Sequence, residues 1–258
     1  MPTVAKIMCM KGHCGLAPCR TCCIYGCLCP PPATRDGVAS YYYPVRPPLG
    51  WDQRPVLRRD CLDGPEYNPA HLPLRNHTAH LAQVKAIEAA RNKKDAMRAF
   101  SINSRSIFLN QSSVNFPQSF PLGFAHQICL NTIPNLVRHA IGKFPTVPNI
   151  GEPYAVDLKV WENLTRQLAA STSTIPASFG RLFRNLSSEM GSLVAEDWLN
   201  FLLYAARPLF ATIYTTPRTR PYLDLWNLLA ETVEDCLLFS IHRVTVESIA
   251  TRFEQFVT

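Results

Sequence analysis

The sequence predicts a mainly α-helical protein that opens with a cysteine-rich, zinc-knuckle-like segment. Three observations carry this. Of the 10 cysteines, Cys9, Cys14, Cys19, Cys22, Cys23, Cys27 and Cys29 crowd near the start of the chain. A proline-rich stretch follows, from Pro30 to about Pro73, in which long helices cannot form. Beyond it, apolar residues recur at helical spacing almost to Thr258. With 258 residues, 47% of them hydrophobic and 17% charged, the chain can bury a sizeable core and lacks the composition of a disordered protein. No membrane partner is expected. The most apolar stretch, Trp198 to Thr216, is interrupted by Asn200, Arg207 and Pro208, short of the roughly 20 clean residues a span needs. Lys6 and Lys11 break the apolar run near the start, so no secretory signal is read there and an intracellular, nuclear location is expected.

In an intracellular protein a cysteine cluster points to metal rather than disulfides, because cytosolic thiols are kept reduced. Cys19-Arg20-Thr21-Cys22 has the C-x-x-C spacing that lets two thiolates from one tight turn reach a single zinc ion. Zinc wants four soft ligands near a tetrahedron. His13, Cys14, Cys27 and Cys29 are the candidates for the remaining two positions. A reduced cysteine-rich loop and, in an exported chain, a disulfide cluster are the alternatives. A thioredoxin-like redox pair ranks lower, since no βαβ pattern surrounds it.

Three segments are expected: 1–75, cysteine-rich then proline- and tyrosine-rich; 76–150, basic and helical; and 151–258, helical. In the first, Tyr41-Tyr42-Tyr43 reads as a short strand with packed aromatics, or as a stacking surface for bases. His77 to Phe100 reads as one helix and residues 101–123 as loop. Phe124 to Ile141 reads as a helix ending at Gly142, kinked or broken by Pro134. Further helices are expected near Tyr154–Ala170, Ala195–Ala206, Phe210–Tyr214, Tyr222–Phe239 and Val244–Phe256, punctuated by Pro176, Pro208, Pro217 and Pro221. Trp198, Phe201, Leu202, Leu209, Leu225, Leu228, Leu229 and Leu237 are the expected core. No Gly-rich phosphate loop and no G-x-S-x-G elbow is found.

Charge is uneven. Residues 1–150 hold 17 basic and 7 acidic side chains, and residues 151–258 hold 9 and 12. A basic half suggests a polyanion partner, against ordinary surface solvation as the plainer reading. Arg91, Lys93, Lys94 and Arg98 would make the last turns of the His77–Phe100 helix positive. There they would complement the helix dipole, contact phosphate, or both.

Three stretches in order carry a family resemblance. The first is Met10-Lys11-Gly12-His13, then Pro18-Cys19-Arg20-Thr21-Cys22-Cys23-Ile24-Tyr25-Gly26, then Tyr41-Tyr42-Tyr43-Pro44. The second is Ser119-Phe120-Pro121-Leu122-Gly123-Phe124-Ala125-His126 with Leu130-Asn131-Thr132-Ile133-Pro134-Asn135-Leu136. The third is Ser173-Thr174-Ile175-Pro176-Ala177-Ser178-Phe179-Gly180 with Ala195-Glu196-Asp197-Trp198. Together, over most of the chain, they resemble the central part of fungal CACTA (En/Spm-type) DDE transposases.

The resemblance implies a partial RNase H-like core with a helical insert. In that core two Asp and one Glu hold two divalent metals such as Mg²⁺ for DNA strand cleavage and joining. It also strengthens the case for zinc at Cys19 and Cys22. The second Asp of the family belongs to an Asp-x-x-His motif, which here reads Gly123-Phe124-Ala125-His126. Glycine has no carboxylate, so Gly123 and His126 form a degenerate motif. The family's first Asp is expected ahead of the cysteine cluster and its Glu beyond the helical region. Glu196 and Asp197 are read instead as solvated or helix-N-terminal carboxylates. The expected function is that of a degenerate, catalytically incomplete transposase fragment that retains DNA or partner binding, with self-association also open. Rivals are an active transposase completed by neighbouring exons, with Mg²⁺, and a zinc-stapled interaction module with no nucleic-acid role.

Overall fold

The computed structural model describes residues 2–12, 15–25, 27–29, 40–42, 67–144, 149–176 and 180–258. Its residues gather into two compact units, Met1–Leu122 and Gly123–Thr258, so the boundary falls inside the 76–150 segment. The mainly α prediction holds. No helix among the described residues is long and apolar enough to cross a membrane.

Unit 1 is built around a small core of Met8, Met10, Val84, Ile87, Ile102, Leu109 and Phe116. Helix α1 (Pro2–Ile7) feeds Met8 and Met10 into it. The chain after α1 is stitched to residues 101–103 by Lys11 N–H donating to Ser101 O (2.9 Å) and Asn103 N–H to Cys9 O (2.7 Å). Two three-residue strands, β1 (Cys27–Cys29) and β2 (Ser40–Tyr42), pair antiparallel with Leu28 opposite Tyr41. The tyrosine triplet is thus a strand at Tyr41 and Tyr42; Tyr43 lies outside the described residues.

The expected single helix from His77 to Phe100 is two helices, α2 (His77–Ala89) and α3 (Lys93–Phe100). The break lies at Asn92, whose side-chain oxygen accepts from the Asp95 amide and so caps a new helix start. Asn76 does the same for α2 through the Ala79 amide. Helix α3 ends at Ser101, which takes the left-handed conformation (φ 56°) of a C-cap.

In unit 2, two proline-containing stretches stay helical by widening. Ala125–Thr132 is a π-helical segment that runs without interruption into α4 (Ile133–Ala140), and Pro134 sits in the first turn of α4. The same arrangement recurs where α5 (Leu158–Ala170) is followed by α6 (Ala195–Asn200), the π-helical segment Phe201–Ala206 and α7 (Arg207–Ile213), with Pro208 at the second position of α7. A proline lacks the N–H for the carbonyl four residues back, and its ring collides with that carbonyl. Opening the preceding turn to i→i+5 bonding relieves both problems. Pro134 and Pro208 therefore do not break their helices, and Ala195–Ala206 and Phe210–Tyr214 are parts of one rod. The rod carrying Pro134 does stop where expected: Gly142 takes φ +69°, and Asn149 Nδ2 donates to the carbonyls of His139 and Ala140 at 3.0 and 2.8 Å.

Helix α5 starts at Leu158 rather than Tyr154, because the Asp157 side chain accepts from the Lys159 and Val160 amides. Helices α8 (Arg220–Cys236) and α9 (Arg243–Val257) pack against each other. The core of the unit is aromatic. Phe210 stacks on Trp226 with ring centroids 4.4 Å apart and on Trp161 at 6.2 Å, and Phe201 meets Trp161, Trp198, Phe210 and Trp226 edge-on. Trp198, Phe201, Leu202, Leu209 and Leu229 are buried as expected. Leu225 and Leu228 are half-buried, and Leu237 is exposed.

Phe210 lies at the middle of this stack and is fully buried. Phe210→Ala is expected to destabilise unit 2 by about 3–5 kcal/mol. Urea unfolding followed by the fluorescence of Trp161, Trp198 and Trp226 measures it directly; a loss below about 1 kcal/mol would contradict the packing.

Candidate functional site

The Cys19–Cys22 turn is the most structured part of the cysteine cluster. Cys19 Sγ accepts from the backbone amides of Thr21 (3.4 Å) and Cys22 (3.3 Å). The turn is held from outside by a bridge between Cys22 and Leu74, in which Cys23 N–H donates to Pro73 O and Arg75 N–H to Thr21 O, both at 2.8 Å. A hydrogen bond from the Cys22 thiol, the two amides and the nearby Arg75 charge pull the Cys19 thiol down to about 6, against the opposing effect of burial. Cys22 is pushed up because it keeps the proton that it donates to Cys19, and because it is buried beside that thiolate. The pair thus holds one proton and one negative charge near neutral pH.

This is the arrangement that suits the first two thiolates of a zinc site, since amide-to-sulfur bonds favour the deprotonated form. Among the described residues no third His, Cys, Asp or Glu joins them in a metal-holding group. Of the other expected ligands, His13 and Cys14 lie outside the described residues, and Cys27 and Cys29 are the ends of β1. Cys9 is separate, with its thiol donating to Arg105 O at 3.7 Å.

Three residues around this turn were not singled out by sequence reasoning. Arg75 is buried, with Nε donating to Cys19 O (2.9 Å) and Nη2 to Ala17 O (2.8 Å), while Nη1 has no hydrogen-bond partner. Arg20 is buried too, its guanidinium donating to the carbonyls of Phe120 (3.2 Å) and Pro121 (3.4 Å). His80 is buried against the ring of Phe116 (4.9 Å), and its Nε2 has no partner. Burial, then the charge of Arg75 and then His77, bring His80 down to about 4, so it is neutral at physiological pH. Sequence gave one available signal, arginines inside a Pro/Cys-rich stretch, but nothing in it marks them as buried.

The four predicted DNA contacts, Arg91, Lys93, Lys94 and Arg98, sit on the surface of α3 and the turn before it. Their electrostatic setting differs from the one expected. With the helix broken at Asn92, Lys93 and Lys94 occupy the first turn of α3, the positive end of its dipole, so they oppose helix formation rather than assist it. Only Arg98 lies in a last turn. Residues 85–105 hold Lys85, Arg91, Lys93, Lys94, Arg98 and Arg105 against Glu88 and Asp95. Glu88 is engaged by Arg105 through paired bonds of 2.8 Å, and Asp95 is bonded to Asn92.

Gly123 and His126 flank the entrance to the Ala125–Thr132 segment, where Gly123 O accepts from Gln127 N–H (2.9 Å) and the His126 carbonyl accepts from Asn131 Nδ2 (2.6 Å). Helix α6 packs on that segment. Asp197 on α6 is buried, not solvated: Oδ2 accepts from the Val194 amide at 2.8 Å, and the carboxylate pairs with Arg181 (3.1 Å) and Arg184 (3.9 Å). Its expected place at a helix N-terminus holds. Glu196 is exposed.

His80 makes unit 1 sensitive to acid. An unfolded histidine titrates near 6.5 and the folded one near 4, so between those values the unfolded chain binds a proton that the native chain rejects. Stability of unit 1 is expected to fall by about 3 kcal/mol as pH drops from 6.5 to 4, and not further on this account below that. Amide exchange at Val84 and Ile87 across this range reads the effect. In His80→Leu that slope should vanish, and an unchanged slope would refute the assignment.

Compared with known proteins, the chain matches no family model, no curated protein and no solved structure.

Proposed function

We propose that this chain is a transposase-derived protein that binds the DNA backbone through the cationic ridge of α3, with glycine in place of one carboxylate of the phosphoryl-transfer site at position 123. The observation that carries the reading is the position of Lys93 and Lys94 in the first turn of a helix. There they cost the fold stability, and among the described residues no carboxylate forms an ion pair with either. Helix dipole, Arg91 and both lysines add with one sign on one exposed surface, which suits a row of phosphates. The family resemblance supplies the DNA context. Two-metal strand transfer needs a carboxylate where Gly123 stands, and glycine has no oxygen on its side chain to offer.

The test is a double variant, Lys93→Ala with Lys94→Ala, in fluorescence anisotropy with duplex DNA over about 50–200 mM salt. The log–log salt slope is expected to shrink by about 2, since each lost phosphate contact removes about 0.9. Unusually for a loss of binding, α3 should gain stability, by about 0.3–1 kcal/mol per lysine. A wild type that fails to bind at low salt, or a variant with an unchanged slope, overturns the proposal.

A second reading, a zinc-stapled interaction module, is favoured by the amide-to-sulfur bonds at Cys19. In it Cys19 and Cys22 supply half of a zinc site, and two of His13, Cys14, Cys27 and Cys29 supply the rest. Zinc bound there would contribute folding free energy directly. Cys19→Ser and Cys22→Ser are each expected to lose zinc in metal analysis and to unfold the region ahead of about Pro44, leaving α5 to α9 standing on their own aromatic core. Zinc content equal to wild type in both variants rejects the site. Zinc retained together with absent DNA binding selects this reading over the first.

A further inference from the structure

Unit 2 holds a cavity of about 310 Å³. Its wall brings together three parts of the chain: Ile175 and Pro176 just after α5, Arg181 and Phe183, and Asn200 with Tyr204. Hydrogen bonds tie the outer two parts to the middle one. Thr172 Oγ1 donates to Phe183 O (3.0 Å), and Asn200 Nδ2 donates to Arg181 O (3.3 Å). Phe183 packs against the aromatic core, so this wall has a fixed footing. Tyr204 belongs to the π-helical segment after α6, and such widened turns are frequent at functional sites. Phe201, Leu202, Ala205 and Ala206 of that segment are buried, whereas Tyr204 is 54% exposed at the cavity.

The charges beside the cavity answer one another. Arg181 Nε meets Asp197 Oδ1 at 3.1 Å, and Arg184 pairs with Glu189 and reaches Asp197 at 3.9 Å. Glu196 Oε1 accepts from the Arg181 amide at 3.4 Å. Among the described residues, three carboxylates thus stand near two guanidinium groups, and one of those guanidinium groups lies in the cavity wall. An anionic ligand would face the surplus carboxylate, and a cationic one would face Arg181. What remains of the wall is aromatic and aliphatic, with one amide and one phenol. Asn200 has two N–H donors and a carbonyl, and its bond to Arg181 O uses a single donor.

We infer that this cavity binds a small molecule built on an uncharged aromatic ring. Phe183 and Tyr204 supply aromatic surface, which pairs with another ring more strongly than its area alone accounts for. Ile175 and Pro176 complete the apolar lining, and the Asn200 amide and Tyr204 hydroxyl exchange hydrogen bonds with a neutral polar group on the ring. The volume is at the lower end of the range for organic ligands, which suits one ring or two fused rings. A mostly apolar lining with a few polar groups to fix orientation is the usual make-up of such sites. The inference is independent of the α3 ridge and of the Cys19–Cys22 turn, both of which belong to unit 1.

The experiment is ligand-observed NMR titration of the full chain with four probes of similar size: benzyl alcohol, benzoate, benzylammonium and cyclohexylmethanol. Benzyl alcohol should bind saturably with a Kd of about 1 mM, as suits so small a ligand. The two charged probes and the non-aromatic one are each expected to bind about tenfold more weakly. Tyr204→Ala removes a ring at an exposed position and should weaken benzyl alcohol about tenfold. Thr174→Trp, at another exposed position of the wall, should fill the cavity and abolish binding. Loss of binding in either variant, with the urea transition of the tryptophan core retained, supports the site. No saturable binding of benzyl alcohol, equal or tighter binding of any other probe, or wild-type affinity in both variants overturns it. The Lys93→Ala, Lys94→Ala variant should bind benzyl alcohol as wild type does, so this site and the ridge fail separately.

Discussion

The guanidinium of Arg75, bonded to the carbonyls of Cys19 and Ala17, is the contact on which unit 1 depends. These bonds join residues 56 and 58 positions apart. Closing so long a loop costs entropy that rises only slowly with its length, so a few strong bonds at its neck can hold it. The strength comes from burial. A charged donor to a carbonyl in low dielectric is worth more than the same bond in water, provided that its other donors and its charge are dealt with. The adjacent bridge of Cys22 with Leu74 fixes the turn in the same place. One side chain thereby holds the thiolate turn through two of its carbonyl-side bonds, adds its charge to the burial that keeps His80 neutral, and forms part of a cavity wall.

Unit 2 rests on a different principle. Its ring stack of Trp161, Phe201, Phe210 and Trp226 draws one residue from each of α5, the π-helical segment after α6, α7 and α8. These rings meet at close distances, and the rod that carries Phe201 and Phe210 stays helical through Pro208. A break there would separate the two rings. The widened turn before the proline is the backbone's way of meeting that demand, and the same solution before Pro134 keeps Ile128 and Ile133 in one core. Packing thus overrides a local helix breaker in two places.

The parts legible in the sequence were those with a strong local period: α5, α8 and α9 came out within a few residues, and Trp198, Phe201 and Leu229 were recognisable as core. Asn92 was legible in principle, because Asn followed by Lys-Lys-Asp is a passable cap, yet the helical pattern on either side outweighed it. The two prolines misled for a physical reason. Whether a proline ends a helix depends on what the far side has to reach, and that is a tertiary fact. Arg20 and Arg75 were illegible for the same cause, since an arginine is ordinarily a surface residue and only the folded chain shows two of them in the interior. Asp197 was read as solvated or helix-N-terminal: it does sit at a helix start, but it is buried and paired with Arg181 and Arg184 rather than solvated. His13 and Cys14 fall outside the described residues, so the zinc half of the reading still rests on Cys19 and Cys22.

What distinguishes the two units most is how they treat their charges. Unit 1 holds 15 basic and 7 acidic residues and unit 2 holds 11 and 12. In unit 2 several acids are matched against arginines in space: Asp197 and Glu189 with Arg184, Glu234 with Arg207, and Asp235 with Arg252. Those carboxylates are committed to structure, and a carboxylate that caps a helix or answers a guanidinium is a poor starting point for binding a catalytic metal. In unit 1 the imbalance runs the opposite way, and it is found at two depths: as lysines placed at the wrong end of a helix for stability, and as arginines buried with no acid paired to them among the described residues. A fold tolerates either arrangement only at a cost to itself. Under the proposed reading, a polyanion that lowers this cost on binding would stabilise unit 1 through the same charges.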